Sequence, residues 1–297
     1  MIVRDKPTRL ELAFAVRGSI VPVIAPRLLA LAALAALVVF VHHRWPGLVP
    51  ELDGTGFTVF GIALSLFLGF RNNAAYERWW EARKLWGGLL ADLRSFAREL
   101  DLFEPERERR QELLRLALAF LHLHRANLRQ LPDDEQSTSR GGRFLASPNP
   151  PDAALNAMAI ALAEARKAGA LDGFGARTLA ERLASMALAQ AGCERIANTP
   201  LPYVYSLLIY RTTYLYCLLL PLALVGPVGW FAPVFVAIVG YVFLGLAEVT
   251  EDLAHPFGTT PNALPLDAIC RAAEISLAPH LGEEAPPPLA PRDYYLS

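Results

Sequence analysis

The chain has 297 residues, of which 54% are hydrophobic and 19% charged, with a net charge of −1 and a mean hydropathy of +0.30. Soluble domains usually carry about 25% charged residues, so this composition reads as a membrane protein with a large water-exposed part. The near-neutral balance excludes the basic face that a nucleic-acid partner requires.

A helix crossing about 30 Å of hydrocarbon needs roughly 20 mostly apolar residues, and four stretches are predicted to do so. The first runs from about Ile24 to Val41, with Arg27 snorkelling to the interface. It begins early enough to resemble a secretory leader, but His42-His-Arg-Trp-Pro46 follows where a small-residue cleavage site would stand, so a retained helix is expected. The second lies between Asp53 and Arg71, with Phe57 to Phe70 as its apolar centre. From Gly61 to Trp80 an uncharged segment rich in Gly, Ala and Ser passes without punctuation into one rich in Arg, Asn and Trp. That is the pattern of a helix leaving a membrane, and the small residues suit close packing around an axis. A pore-lining helix is the first reading of this segment.

From Glu77 to Leu131 apolar residues recur at three and four, as in Leu113, Leu114, Ala117, Leu118 and Leu121, which predicts helix. Pro132 to Pro151 is expected to be a loop. Helix resumes from Asp152 to about Arg195, interrupted near Gly169 to Gly175. The third span is predicted from about Val204 to Val225 and the fourth from Val228 to Ala247, joined by a tight turn at Gly226-Pro-Val-Gly229. Tyr203, Tyr205 and Trp230 stand like interfacial anchors at the ends of this hairpin. An acidic patch (Glu248, Glu251, Asp252), a turn at Pro256-Phe-Gly258, a short helix at about Leu266 to Leu277 and a Pro-rich tail follow.

Arg4, Lys6, Arg9, Arg17 and Arg27 precede the first span, and only Arg44 separates the first from the second. The positive-inside rule then places both termini and the middle region in the cytoplasm. Cys193, Cys217 and Cys270 are scattered and read as buried thiols rather than a disulfide framework. His122 and His124 point to different faces of one helix, so no shared metal is expected, and the carboxylates at 248, 251 and 252 read as solvated or paired with Arg. Arg211, costly inside a membrane, is either functional, or snorkels to the interface, or pairs with a carboxylate such as Glu194 or Glu248. Arg78 beside Trp79 and Trp80 reads as structural. No phosphate loop, nucleophile elbow or His-Glu-x-x-His motif occurs, so neither an enzyme nor a cofactor is expected.

Three motifs in order resemble the bestrophin family of ion channels, in particular its bacterial members: Leu68-Gly-Phe-Arg-Asn-Asn-Ala-Ala-Tyr-Glu-Arg-Trp-Trp80, Gly192-Cys-Glu-Arg-Ile-Ala-Asn-Thr-Pro-Leu-Pro202, and His255-Pro-Phe-Gly258 with Asn262-Ala-Leu-Pro-Leu-Asp267. The resemblance implies an all-α membrane protein with four transmembrane helices and a cytosolic helical region, forming a homopentamer around a single axial pore. Expected boundaries are a cytosolic segment at 1–23, helices 1 and 2 at 24–76, the cytosolic region at 77–203, helices 3 and 4 at 204–247 and a cytosolic tail at 248–297.

On its own residues the stripe Ile62, Leu66 and Phe70, spaced i, i+4, i+8, reads as facing lipid or a neighbouring helix, and the resemblance makes it the pore neck. It also implies a second, cytosolic constriction between Phe174 and Leu183, with Phe174, Leu179, Ala180 and Leu183 as candidates. Thr259-Thr-Pro-Asn-Ala replaces the acidic run that binds Ca²⁺ in animal members, so Ca²⁺ gating is not expected. Carboxylates at the pore mouths favour cations, and Glu51, Asp53, Glu77 and Glu81 lie near the ends of the pore helix. The resulting expectation is a passive channel for monovalent ions in a bacterial inner membrane, with cations preferred. Its partners are further copies of itself, membrane lipid and the permeating ions. An anion (chloride) channel and a non-conducting scaffold or sensor are the alternatives.

Overall fold

Backbone N–H and C=O groups inside a bilayer find no water, so an apolar chain that spans one must satisfy them within its own helices. The computed structural model describes residues 1–3, 8, 10, 11, 15, 16, 18–132 and 134–297. Among these it is helical, with isolated bridges pairing Ile2 with Tyr295 and Arg292 with Tyr295. The basic residues at 4, 6, 9 and 17 that set the predicted orientation lie outside the described residues. The chain divides into two compact units, one made of Asp5–Trp79 and Pro200–Ala254, the other of Met1–Arg4, Trp80–Thr199 and His255–Ser297.

The first unit holds α1 (Val21–Arg44), the start of α2 (Gly54–Phe103), α7 (Tyr203–Val228) and α8 (Ala232–Ala254). Among the described residues, three helical stretches are long and apolar enough to cross a membrane: Val21–Arg44, Gly54–Phe103 and Tyr203–Ala254. The last contains both α7 and α8. The predicted turn at 226–229 is displaced, because α7 continues through Pro227 to Val228 and the chain reverses at Gly229–Phe231. Gly229 makes that reversal with φ +51°, a region only glycine enters without strain. α7 and α8 then pack against each other, and α1 packs against both.

α1 opens with Pro22 in its first turn, where a missing N–H costs nothing, and closes with His42, His43 and Arg44 against its negative end. Its buried residues Ile24, Leu31, Ala35 and Val39 form one stripe. α8 meets this stripe through small residues: a Cβ on Gly245 would come within 2.8 Å of Ile20 Cδ1. Leu31, Ala35, Leu64, Leu68, Ile209, Tyr216, Val236 and Leu244 share one core among the four helices.

The second unit is built on α3 (Arg107–Arg129), which is buried almost continuously from Leu113 to Leu128. α4 (Glu135–Gly141), α5 (Pro150–Lys167), α6 (Gly173–Asn198) and α9 (Leu266–Leu281) surround it. α4 corrects the expected 132–151 loop, since Asp134 caps Ser137 N–H at 2.7 Å and starts a helix there. The break between α2 and α3 is held by Glu104, whose fully buried side chain accepts Arg109 Nη1 at 3.2 Å and the Glu106 N–H at 3.0 Å.

Polar side chains are gathered inside this unit. Asp267 receives Arg125 and Arg129, the latter at 2.7 Å. Arg182 bridges Asp92 at 2.8 Å and Glu99 at 2.7 Å. His124 stacks between Trp86 and Phe120, and burial pushes it down to about 3, so it stays neutral. Glu274 meets His122 at 3.0 Å, Arg140 at 2.6 Å and Arg271 at 2.7 Å. Burial raises the Glu274 carboxyl, but the His122 hydrogen bond and the two guanidiniums outweigh it and hold the group at about 2. The three thiols are buried and free.

A carboxylate depressed in the folded state stabilises it above the unfolded value of about 4.5, and that contribution disappears as pH falls towards 2. Replacing Glu274 by Gln is therefore expected to cost about 2 kcal/mol near neutral pH. The deficit relative to wild type should close between pH 4.5 and 2, as followed by thermal unfolding of the detergent-solubilised protein; a gap that persists at pH 2 contradicts the assignment.

Candidate functional site

A helix advances 100° per residue, so positions three or four apart share a face and those two apart fall nearly opposite. In the membrane part of α2 this separates two stripes. Leu64, Leu68, Arg71 and Ala75 are buried. Ile62, Leu66 and Phe70 lie on the opposite side and are 64%, 56% and 56% exposed. Together with Ser65, Gly69 and Asn73 they line a shallow groove. Three large apolar side chains in one row, flanked by small and polar ones, suit a face turned to lipid, to a neighbouring helix or to a pore.

The buried stripe sets the angle of this groove. Gly61 faces Tyr216 of α7 closely: a Cβ there would lie 2.7 Å from the Tyr216 hydroxyl. Tyr216 in turn packs against Phe57, Phe60 and Phe243 at ring separations of 5.9, 5.5 and 5.3 Å, tying α2, α7 and α8 together. Below this cluster the contacts become polar. Arg71 Nη2 donates to Glu251 at 2.7 Å and to the Ser206 hydroxyl at 3.2 Å. Arg27 pairs with Glu248 at 3.1 Å. Thr250 donates to Asn72 Oδ1 at 3.3 Å. Arg78 Nε donates to the Ala254 carbonyl at 2.7 Å, covering an unsatisfied group at the end of α8. The motif from Leu68 to Trp80 thus mostly fastens α2 to α7 and α8.

The remaining candidates are spread along the chain. Of the carboxylates expected at pore mouths, Glu51 is exposed and 3.6 Å from His42, and Asp53 caps Thr55 N–H at 3.0 Å. Glu77 is exposed, and Glu81 pairs with Arg195 at 2.6 Å. Of the four residues proposed for a cytosolic constriction, Phe174 is 81% exposed and Ala180 is exposed, with Leu183 half-buried. Leu179 is wholly buried within its unit and so cannot face an axis, which removes it.

Arg211 is exposed and pairs with neither predicted partner: Glu248 is taken by Arg27, and Glu194 accepts Gln190 at 2.7 Å and Asn149 at 3.1 Å. Arg27, expected to snorkel, instead makes an ion pair. Two members of the acidic patch serve arginines, and among the described residues no group of three His, Cys, Asp or Glu could hold a metal ion. The closeness of Gly61 to Tyr216 had no sequence signal, since each looks like an ordinary membrane residue. The Arg71–Glu251 pair had one: opposite charges at the polar ends of two predicted spans.

The sequence matches the family described as Bacterial/Fungal Bestrophin protein over residues 1–279. It is 44% identical to a voltage-dependent anion channel-forming protein of Mesorhizobium japonicum, covering 100% of this chain and 97% of that one. It is 39% identical to the voltage-dependent anion channel-forming protein YneE of Escherichia coli strain K12, over the full length of both. The fold is similar to the crystal structure of a bacterial Bestrophin homolog from Klebsiella pneumoniae, with a TM-score of 0.83 and 32% identity over 88% of this chain and 99% of that one. The names of these relatives lend no support to the expected preference for cations; they favour the anion alternative.

Adding a methyl group at Gly61 forces Tyr216 to move. Gly61→Ala is expected to cost about 1–3 kcal/mol through overpacking. Tyr216→Phe in the same chain should recover part of that loss, because it removes the atom in closest contact. Additive effects of the two changes on Tm in detergent would show that the close approach does not exist.

Proposed function

The chain belongs to the bestrophin family, in its bacterial and fungal branch, and from that membership we propose that it is an ion channel that passes anions down their electrochemical gradient. The observation that carries the proposal is the exposed row Ile62, Leu66 and Phe70 on a membrane helix whose other side is buried. Five copies around one axis turn that row into three stacked apolar rings, a constriction that gates by dewetting. In this reading the protein is a homopentamer in the bacterial inner membrane, α1, α2, α7 and α8 cross the bilayer, and both termini are cytosolic. Phe174 and Ala180 then line a second narrowing in the cytosolic part.

The acidic pore mouths oppose anions less than their number implies. Glu81 is neutralised by Arg195, Asp53 is engaged in capping α2, and the N-terminus of α2 itself presents partial positive charge. Glu77 is left as the exposed carboxylate on the groove side of the helix. With apolar rings at the neck, preference falls to ions that shed water at least cost, which favours large monovalent anions.

The test is the reversal potential of the purified protein in a planar bilayer under a tenfold KCl gradient. A value near the Cl⁻ equilibrium potential is expected. One near the K⁺ potential would restore the cation reading, and no current from intact oligomers would replace the channel by a scaffold. Leu66→Ala should raise single-channel conductance by about twofold or more by widening the middle ring, and Glu77→Gln should move the reversal potential further towards Cl⁻. Unchanged currents in both variants would remove the neck from this face of α2.

A further inference from the structure

Within the first unit a cavity of about 270 Å³ lies among α1, α2, α7 and α8. It sits where each of these helices turns from apolar to polar: Arg27 near the start of α1, Arg71 below the apolar row of α2, Ser206 at the start of α7, and Glu248 and Glu251 near the end of α8. Its volume is close to the lower bound of about 300 Å³ for small-molecule sites.

Two polar groups in its wall are unspent. The Arg71 side chain is 6% exposed, and its Nε has no hydrogen-bond partner after Nη2 has served Glu251 and Ser206. Thr213 is 1% exposed, and its hydroxyl has no partner either. A buried donor left without a partner costs about 1–3 kcal/mol, so both mark a place that a ligand oxygen would fill.

The charge in the wall selects the ligand. Two guanidiniums face two carboxylates, so a ligand with net charge of either sign would upset the balance, whereas one carrying both signs would be matched. Guanidinium and hydroxyl donors suit phosphate oxygens, and the two carboxylates suit an ammonium that still has N–H bonds to give. Leu207 and Leu244 supply an apolar wall, and Tyr203 and Tyr210, 76% and 54% exposed, stand at the rim in the position of interfacial aromatics. A free zwitterion needs neither.

We propose that this cavity binds the headgroup of a primary-amine phospholipid, phosphatidylethanolamine. The phosphate lies on Arg71 Nε, Arg27 and the Thr213 hydroxyl, the ammonium on Glu248 and Glu251, and the acyl chains pass over Leu207 and Leu244. The assignment rests on the membrane reading of α1, α2, α7 and α8, but not on conduction or on the ion conducted.

Native mass spectrometry of the full-length, delipidated protein in detergent, supplied with equal amounts of phosphatidylethanolamine, phosphatidylcholine and phosphatidylglycerol, tests it. Phosphatidylethanolamine should be retained about tenfold over either competitor. Thr213→Val, which keeps the volume but removes the hydroxyl, and Arg71→Lys, which keeps the charge but removes the Nε donor with the guanidinium fork, should each cut that retention severalfold. Glu248→Gln should shift the preference towards phosphatidylglycerol. Equal retention of the three lipids overturns the proposal, as does retention unchanged by both Thr213→Val and Arg71→Lys. Displacement of the lipid by soluble phosphoethanolamine at equal concentration would reassign the cavity to a free zwitterion. Protein that conducts in a bilayer yet retains no phosphatidylethanolamine fails this inference alone and leaves the channel reading standing.

Discussion

The 3.6-residue period of α2 is the constraint on which the membrane unit depends. One helix must bury Leu64, Leu68, Arg71 and Ala75 against its own unit while turning Ile62, Leu66 and Phe70 outward. Both stripes are largely apolar, so hydrophobicity alone cannot orient the helix in lipid, where tails are as apolar as leucine. Close packing and polar contacts must do it. Gly61 against Tyr216 brings α2 to α7 on one side only, and Arg71, reaching Glu251 and Ser206, allows one rotation.

The polar ends of the membrane helices carry the same logic further. Arg27–Glu248 and Arg71–Glu251 join α1 and α2 to the last turns of α8, and Arg78 satisfies its terminal carbonyl. Desolvation offsets much of the attraction in such pairs, so their net contribution to stability is small. Their effect is on register: a slip of α8 by one turn would strand a guanidinium in apolar surroundings. The cavity between these pairs follows from that arrangement, because side chains held apart as two ion pairs leave room that apolar packing would have closed.

In the second unit α3 is nearly all core, which small and medium side chains such as Ala117, Ala119 and Leu121 permit on every side. Its buried polar residues are answered mainly from α9, Arg125 and Arg129 by Asp267 and His122 by Glu274. His124 is the exception, kept neutral by burial and held by stacking alone. Such a network costs more when half satisfied than an apolar core would, which favours one arrangement of these helices over its neighbours.

Periodicity and composition by themselves determined the helical class, the apolar stretches and most helix limits, because those depend on residues within a turn or two of one another. The motif from Leu68 to Trp80 was legible as a membrane exit for the same reason, and the family likeness picked out Ile62, Leu66 and Phe70. Only the tertiary structure decided which side of α2 is enclosed, that Arg27 and not Arg211 meets Glu248, that Leu179 is core, and that the chain turns at Gly229 after α7 has run through Pro227. Each of these is a choice between chemically equivalent local options. It is settled by atoms more than a hundred residues away in sequence or by the fit of one helix on another, and no local pattern contains that information.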